Sequence, residues 1–180
     1  MSKRVLIVTG SPRKDGNSDL LCGEFCRGAK DSGNQVETIF LREKHIGHCF
    51  ACEACVSNGG ICVQQDDMAE ILAKMVAAEV LVLATPVYFY AMNGQMKTFI
   101  DRNIPRYREI LDKSVYLVIT AADTDKAAID RTVEEFRGYL SCLTGATEKG
   151  IICGTGAWAK GDIRKSQAMS EAYEAGKGIG

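Results

Sequence analysis

Positive charge is not in excess: 22 Lys and Arg stand against 23 Asp and Glu, giving a formal net charge of -1 and a pI near 6.1. A chain so balanced has no basic field to steer it onto a phosphate backbone, so nucleic acid is not an expected partner. Long apolar runs are missing too. Nothing approaches the roughly 18 apolar residues that span a bilayer, so no membrane partner is expected. The opening MSKRVLIVTG passes from a short apolar stretch straight into a turn, without the longer segment and cleavage site of a secretion signal. A cytoplasmic location follows as an expectation, and there thiols stay reduced. Internal repeats, low-complexity tracts and interdomain linkers are also lacking. With 46% hydrophobic and 25% charged residues, positions 1–180 read as a single domain.

Cysteine, by contrast, is abundant. Eight are too many for a disulfide scaffold in a reducing compartment, and four of them crowd into residues 49–62, which asks for metal or redox chemistry.

Five short aliphatic runs recur: Val5 to Thr9, Val36 to Phe40, Val80 to Ala84, Val115 to Thr120 and Gly150 to Cys153. The first, third and fourth are continuously apolar, as strands covered on both faces by helices are. Between them lie helical patterns at Ser18–Lys30, Asp66–Ala77, Gln95–Asn103 and Asp125–Leu143, and a last amphipathic segment, Ile163–Ala175, is expected to pack on the final strand. Alternating strand and helix predicts an α/β fold, a doubly wound five-stranded parallel sheet of order 2-1-3-4-5 with helices on both faces. Such a sheet binds ligands outside the carboxyl ends of its strands, where the strand order reverses.

After the first strand comes Gly10-Ser11-Pro12-Arg13-Lys14-Asp15-Gly16-Asn17-Ser18, a small polar loop opening into a helix whose free N–H groups attract phosphate. Ser11 and Ser18 offer hydroxyls, Asn17 an amide and Arg13 a charged donor. The plainer reading is a capped turn with Ser18 or Asn17 as the N-cap. G-x-G-x-x-G and G-x-x-x-x-G-K-[ST] are both absent, so dinucleotide and NTPase readings lose their main support. After the third strand, Thr85-Pro86-Val87-Tyr88-Phe89-Tyr90-Ala91-Met92-Asn93-Gly94 sets three consecutive aromatics at the same edge. They suit a flat aromatic ligand; the alternative is that they plug the core or bury a subunit contact. Thr120 to Thr124 adds small residues that could approach a ring edge.

GSPRKDGNS, CVQQDDM and TPVYFYAMNGQMKTFIDR, within residues 4–153, together resemble the NADPH-dependent FMN reductase and iron-sulfur flavoprotein family of flavodoxin-like proteins. The resemblance implies a flavodoxin-like fold in which Ser11, Arg13, Asn17 and Ser18 hold the FMN phosphate. Pro86, Val87, Tyr88, Phe89, Asn93 and Gly94 would then surround the isoalloxazine. It also implies NAD(P)H as electron donor and a homodimer or homotetramer.

The cysteine-rich loop, residues 45–62, carries Cys49-x2-Cys52-x2-Cys55-x6-Cys62. C-x2-C-x2-C is a ligand rhythm for a [4Fe-4S] cluster, with Cys62 as the fourth corner. Free thiols and zinc are the alternatives. His45 and His48 flank the loop, and the other cysteines, Cys22, Cys26, Cys142 and Cys153, read as small buried apolar residues. Asp66 and Asp67 suit a helix start, and Lys97, Asp101 and Arg102 suit surface pairs.

The function expected on this basis is an FMN-dependent oxidoreductase fed by NAD(P)H, with the flavin carrying the reaction and no side chain assigned as catalytic. Two alternatives stand beside it. One is a non-enzymatic electron carrier exchanging electrons with a ferredoxin-like partner; the other is a redox or metal sensor built on the cysteine loop.

Overall fold

The computed structural model describes residues 2–180. The strands are β1 (Arg4–Thr9), β2 (Gln35–Phe40), β3 (Val80–Tyr88), β4 (Ala91–Met92), β5 (Ser114–Thr120) and β6 (Thr147–Gly154). All but β4 form one parallel sheet in the order β2-β1-β3-β5-β6, which is the expected 2-1-3-4-5 path when β4 is set aside. The two-residue β4 is an addition. It folds back antiparallel on the end of β3, so the stretch read as a loop after Ala84 is a strand through Tyr88 followed by a tight hairpin.

Apolar residues run unbroken along β1, β3 and β5 because alternate side chains enter different cores. Val5, Ile7, Val80 and Val82 face α1 (Asn17–Asp31) and α6 (Ala168–Lys177), among Leu21, Phe25 and Ala172. Leu6, Val8, Leu81 and Leu83 face the opposite way, among Met75 of α3 (Met68–Ala77), Met96 and Phe99 of α4 (Gly94–Asp101), and Phe136 of α5 (Ala127–Leu140). A one-turn α2 (Ala54–Ser57) lies within the cysteine loop.

Three expectations need correction. The segment Ile163–Ala175 is split into a 3-10 turn at Asp162–Lys165 and α6, with Ser166 extended between them. It does touch β6, but its closest approach is to α1. A Cβ on Gly28 would lie 2.0 Å from the Tyr173 carbonyl oxygen, and one on Gly176 would lie 2.1 Å from that of Phe25. Cys142 is exposed at the end of α5, not buried, whereas Cys22 is buried and its thiol is pushed well up by desolvation. Arg102 makes no surface pair. It is the largest fully buried side chain, although Lys97 and Asp101 do pair on the surface.

Close backbone contact between α1 and α6 leaves no room for a methyl group. Gly176→Ala is expected to cost about 1–3 kcal/mol through overpacking. Urea unfolding measures it; an unchanged midpoint would refute the contact.

Candidate functional site

β1 hands directly to the polar loop. Gly10 N still donates to the Ala84 carbonyl at 2.8 Å, so the loop leaves the sheet beside β3. It closes on itself where Gly16 N donates to the Arg13 carbonyl at 3.0 Å. Gly16 takes the cap position of α1, and no side chain caps the helix, so neither Ser18 nor Asn17 plays the N-cap part. The first-turn N–H groups thus keep their anion-attracting character. Ser18, 1% exposed, shares a 2.8 Å hydrogen bond with the Thr120 hydroxyl at the end of β5.

Asn17 is committed elsewhere. Its amide nitrogen donates to the carbonyls of Ala157 and Ala159 at 3.1 and 2.9 Å, and its oxygen accepts from Gly161 N at 3.0 Å. It staples the loop after β6 to α1. Arg13 reaches the same loop, donating to the Trp158 carbonyl at 3.1 Å.

Ser11, Arg13, Asn17 and Ser18 meet Pro86, Val87, Tyr88 and Phe89 in one cleft of about 640 Å³. That volume falls in the usual range for cofactor sites. Thr120 to Asp123, Tyr90, Ala157 and Trp158 complete the lining. The aromatic residues do not plug the core: Tyr88 is 40% exposed and Phe89 wholly so. Phe89 and Tyr90 both sit in the left-handed region, with φ of 51° and 60°. Non-glycine residues rarely adopt it, and the turn that β3 and β4 share requires it at both central positions.

Asn93 and Gly94 lie outside this cleft. They line a second concavity of about 520 Å³ across Tyr88, together with His48, Gln95 and Thr98. Asn93 is 3% exposed and ties three separate segments of backbone together: Nδ2 donates to the Gly10 carbonyl, and Oδ1 accepts from the Thr85 hydroxyl at 3.1 Å and from Met96 N at 3.3 Å. It also caps α4.

The cysteine loop is pinned by Arg102 at the end of α4. Its guanidinium, 1% exposed, forks onto the Asp66 carboxylate at 2.7 and 3.0 Å. It also donates to the Gly47 carbonyl at 2.8 Å and toward the Cys62 sulfur at 3.6 Å, which ties both ends of the loop together. Burial works against the Asp66 carboxylate, but hydrogen bonds from Arg102, Gly47 N and Met68 N outweigh it and hold the carboxyl below its ordinary value. This engagement of Asp66 is why α3 begins at Met68 and not earlier. Cys49 and Cys52 are exposed, and Cys55 and Cys62 half-buried. Burial raises the Cys55 thiol, and the nearby sulfurs of Cys62, Cys49 and Cys52 raise it further. Among the described residues no three His, Cys, Asp or Glu side chains gather at metal-holding geometry. His45 and His48 are exposed; His48 Nδ1 is 3.1 Å from the Thr98 hydroxyl.

A family model described as NADPH-dependent FMN reductase matches residues 3–151. The chain belongs to that family. Among relatives, an iron-sulfur flavoprotein of Archaeoglobus fulgidus is 39% identical over 136 residues, 74% of this chain and 59% of that protein. The chain therefore spans less than two thirds of that relative's length. A Bacillus subtilis relative named as an NAD(P)H-dependent FMN-containing oxidoreductase is 25% identical over 178 residues, 94% of each chain. The solved Trp repressor binding protein of Bacillus subtilis superposes with a TM-score of 0.71 at 27% identity, covering 96% of this chain and 99% of that one. The doubly wound sheet of this FMN reductase family member is flavodoxin-like.

Sequence reasoning missed the loop after β6, although the chain's one tryptophan marked it, and it missed the role of Arg102, which stands forty residues from Cys62 with no local signal. Removing Arg102 would strand a carboxylate that is only 14% exposed. Arg102→Met is expected to cost about 3–5 kcal/mol at pH 7. Because the Asp66 carboxyl is depressed, its contribution is fully present above about pH 4 and fades as pH falls through its lower folded value. Unfolding curves of wild type and Asp66→Asn should converge in acid; a gap equal at pH 7 and pH 3 would refute the pair.

Proposed function

We propose that this protein is an FMN-dependent oxidoreductase that takes reducing equivalents from NADH or NADPH. The observation that carries the reading is the meeting, in one cleft at the strand-order reversal, of an uncapped helix start and an exposed aromatic wall. The buried hydroxyls of Ser11 and Ser18 and the cation of Arg13 suit a phosphate; Asn17 shapes that pocket through the loop it staples. Pro86, Val87, Tyr88 and Phe89 suit the face and edge of an isoalloxazine. Asn93 and Gly94 support the hairpin from behind. FMN, when bound, supplies hydride acceptance and onward electron transfer; the chain binds it, orients it and shields it. No side chain is asked to act as nucleophile or general acid.

For the cysteine loop the reading is a [4Fe-4S] site on Cys49, Cys52, Cys55 and Cys62. Four thiols in fourteen residues form a suitable donor set, and relatives bear the name iron-sulfur flavoprotein. The loop has to draw its sulfurs together to hold a cluster. Exposed Phe89, Tyr90 and Trp158 around the cleft support a second copy of the chain as partner. No helix among the described residues is long and apolar enough to cross a membrane. Residues 1–180 are read as one domain, in a cytoplasm that keeps the thiols reduced.

Anaerobic purification followed by a visible spectrum and flavin, iron and acid-labile sulfide analysis tests both halves. Flavin bands are expected with a broad iron-sulfur shoulder that Cys52→Ser abolishes. Flavin without iron or sulfide would leave the oxidoreductase standing and end the cluster; no flavin would end the central reading. Steady-state oxidation of NADH or NADPH is expected as well, and reduction only by a ferredoxin-like protein would make the chain an electron carrier.

A further inference from the structure

The anion cradle is built around a carboxylate. Asp19, in the first turn of α1, has a side chain only 8% exposed. Its Oδ1 accepts from the Thr9 hydroxyl at 3.2 Å and its Oδ2 from Asp15 N at 3.0 Å, so the loop between β1 and α1 folds over it. A carboxylate there seeks the same positive helix end as an incoming phosphate, and like charges in a poorly hydrated site repel.

Arg42 answers that charge. It comes from the 3-10 turn after β2, is 12% exposed, and places Nη1 2.8 Å from Asp19 Oδ2. The same nitrogen donates to the Ser11 carbonyl at 3.4 Å, and the guanidinium lies 4.2 Å over the Phe40 ring, which fixes its place. Its other acidic neighbour, Glu43, is 3.5 Å away and more than half exposed.

We propose that Arg42 is a positioning residue for the flavin phosphate: it cancels the charge of Asp19, so that the carboxylate can frame the loop without repelling the anion the loop receives. This inference rests on the FMN reading of the cleft. It separates two jobs at one carboxylate, hydrogen bonding within the loop and charge toward the ligand.

FMN and riboflavin, which differ only in the phosphate, are the probes. Their dissociation constants are measured by flavin fluorescence on the deflavinated full chain at pH 8, for wild type, Arg42→Gln, Asp19→Asn and the double variant. Arg42→Gln is expected to weaken FMN about tenfold or more while riboflavin shifts by less than about twofold. Asp19→Asn placed in that background should restore most of the loss, because the charge it unmasked is gone. Arg42→Lys, which keeps the charge without the planar guanidinium, should retain most FMN affinity and serves if the Gln variant does not fold. Equal loss of FMN and riboflavin, or no rescue by Asp19→Asn, would overturn the proposal in favour of a purely structural clamp. Wild type that binds riboflavin and FMN equally would overturn it as well, by removing the phosphate from the loop. Wild type that binds neither flavin would end the reading of the cleft, and this inference with it.

Discussion

The side chain of Asn93 joins three pieces of backbone that are distant in sequence: the start of the polar loop through the Gly10 carbonyl, the end of β3 through the Thr85 hydroxyl, and the first turn of α4 through Met96 N. Every polar atom of that buried amide is used, and each bond is strengthened by its dry surroundings. The arrangement also needs residue 10 to lack a side chain, since a Cβ there would stand 2.7 Å from Asn93 Oδ1. Through this amide the two walls of the cleft are referenced to each other. The polar loop cannot shift against the hairpin without breaking it.

A second polar centre organises the cysteine loop. Arg102 closes the loop at Gly47, Cys62 and Asp66, while the segment between exposes Phe50, Val56 and Ile61 to solvent. Its own Nε is buried without a partner, a desolvation cost that the forked carboxylate offsets. The loop is thus pinned at its base and exposed at its centre, where Ala51 and Glu53 take left-handed backbone angles. Cys49 and Cys52 belong to the exposed part, whereas Cys62 lies beside the Arg102 anchor.

What could be read in advance follows from where the physics is local. Unbroken apolar runs at Val5–Thr9, Val80–Ala84 and Val115–Thr120 signal strands sandwiched between helices, alternation of strand and helix makes the sheet parallel, and five strands make 2-1-3-4-5 the natural candidate for its order. The polar loop and the aromatic triplet were visible for the same reason: each is a short contiguous word at a predictable edge. The hairpin was not, because β4 is two residues long, too short to show a period, and its turn uses Phe89 and Tyr90 where glycine or asparagine would be the signal. The commitment of Asn17 to Ala157 and Ala159, and the burial of Arg102 against Asp66, are long-range pairings with no local trace. Of the four cysteines expected to be buried only Cys22 is; Cys26 and Cys153 are half-buried and Cys142 is exposed just beyond α5, because residue type alone does not report burial.

The sheet divides the interior into two apolar cores that have no residue in common. The polar loop and the stapled segment after β6 rest on the α1–α6 side; the hairpin and Asn93 rest on the α3–α4–α5 side. The cleft is therefore a seam between two independently packed half-shells. On the proposed FMN reading, sequence drift in one core can reshape the grip on the ligand's charged tail while leaving the wall for its planar head untouched, and drift in the other can do the reverse. A fold partitioned this way can change what it reduces and how firmly it keeps its cofactor along separate evolutionary paths.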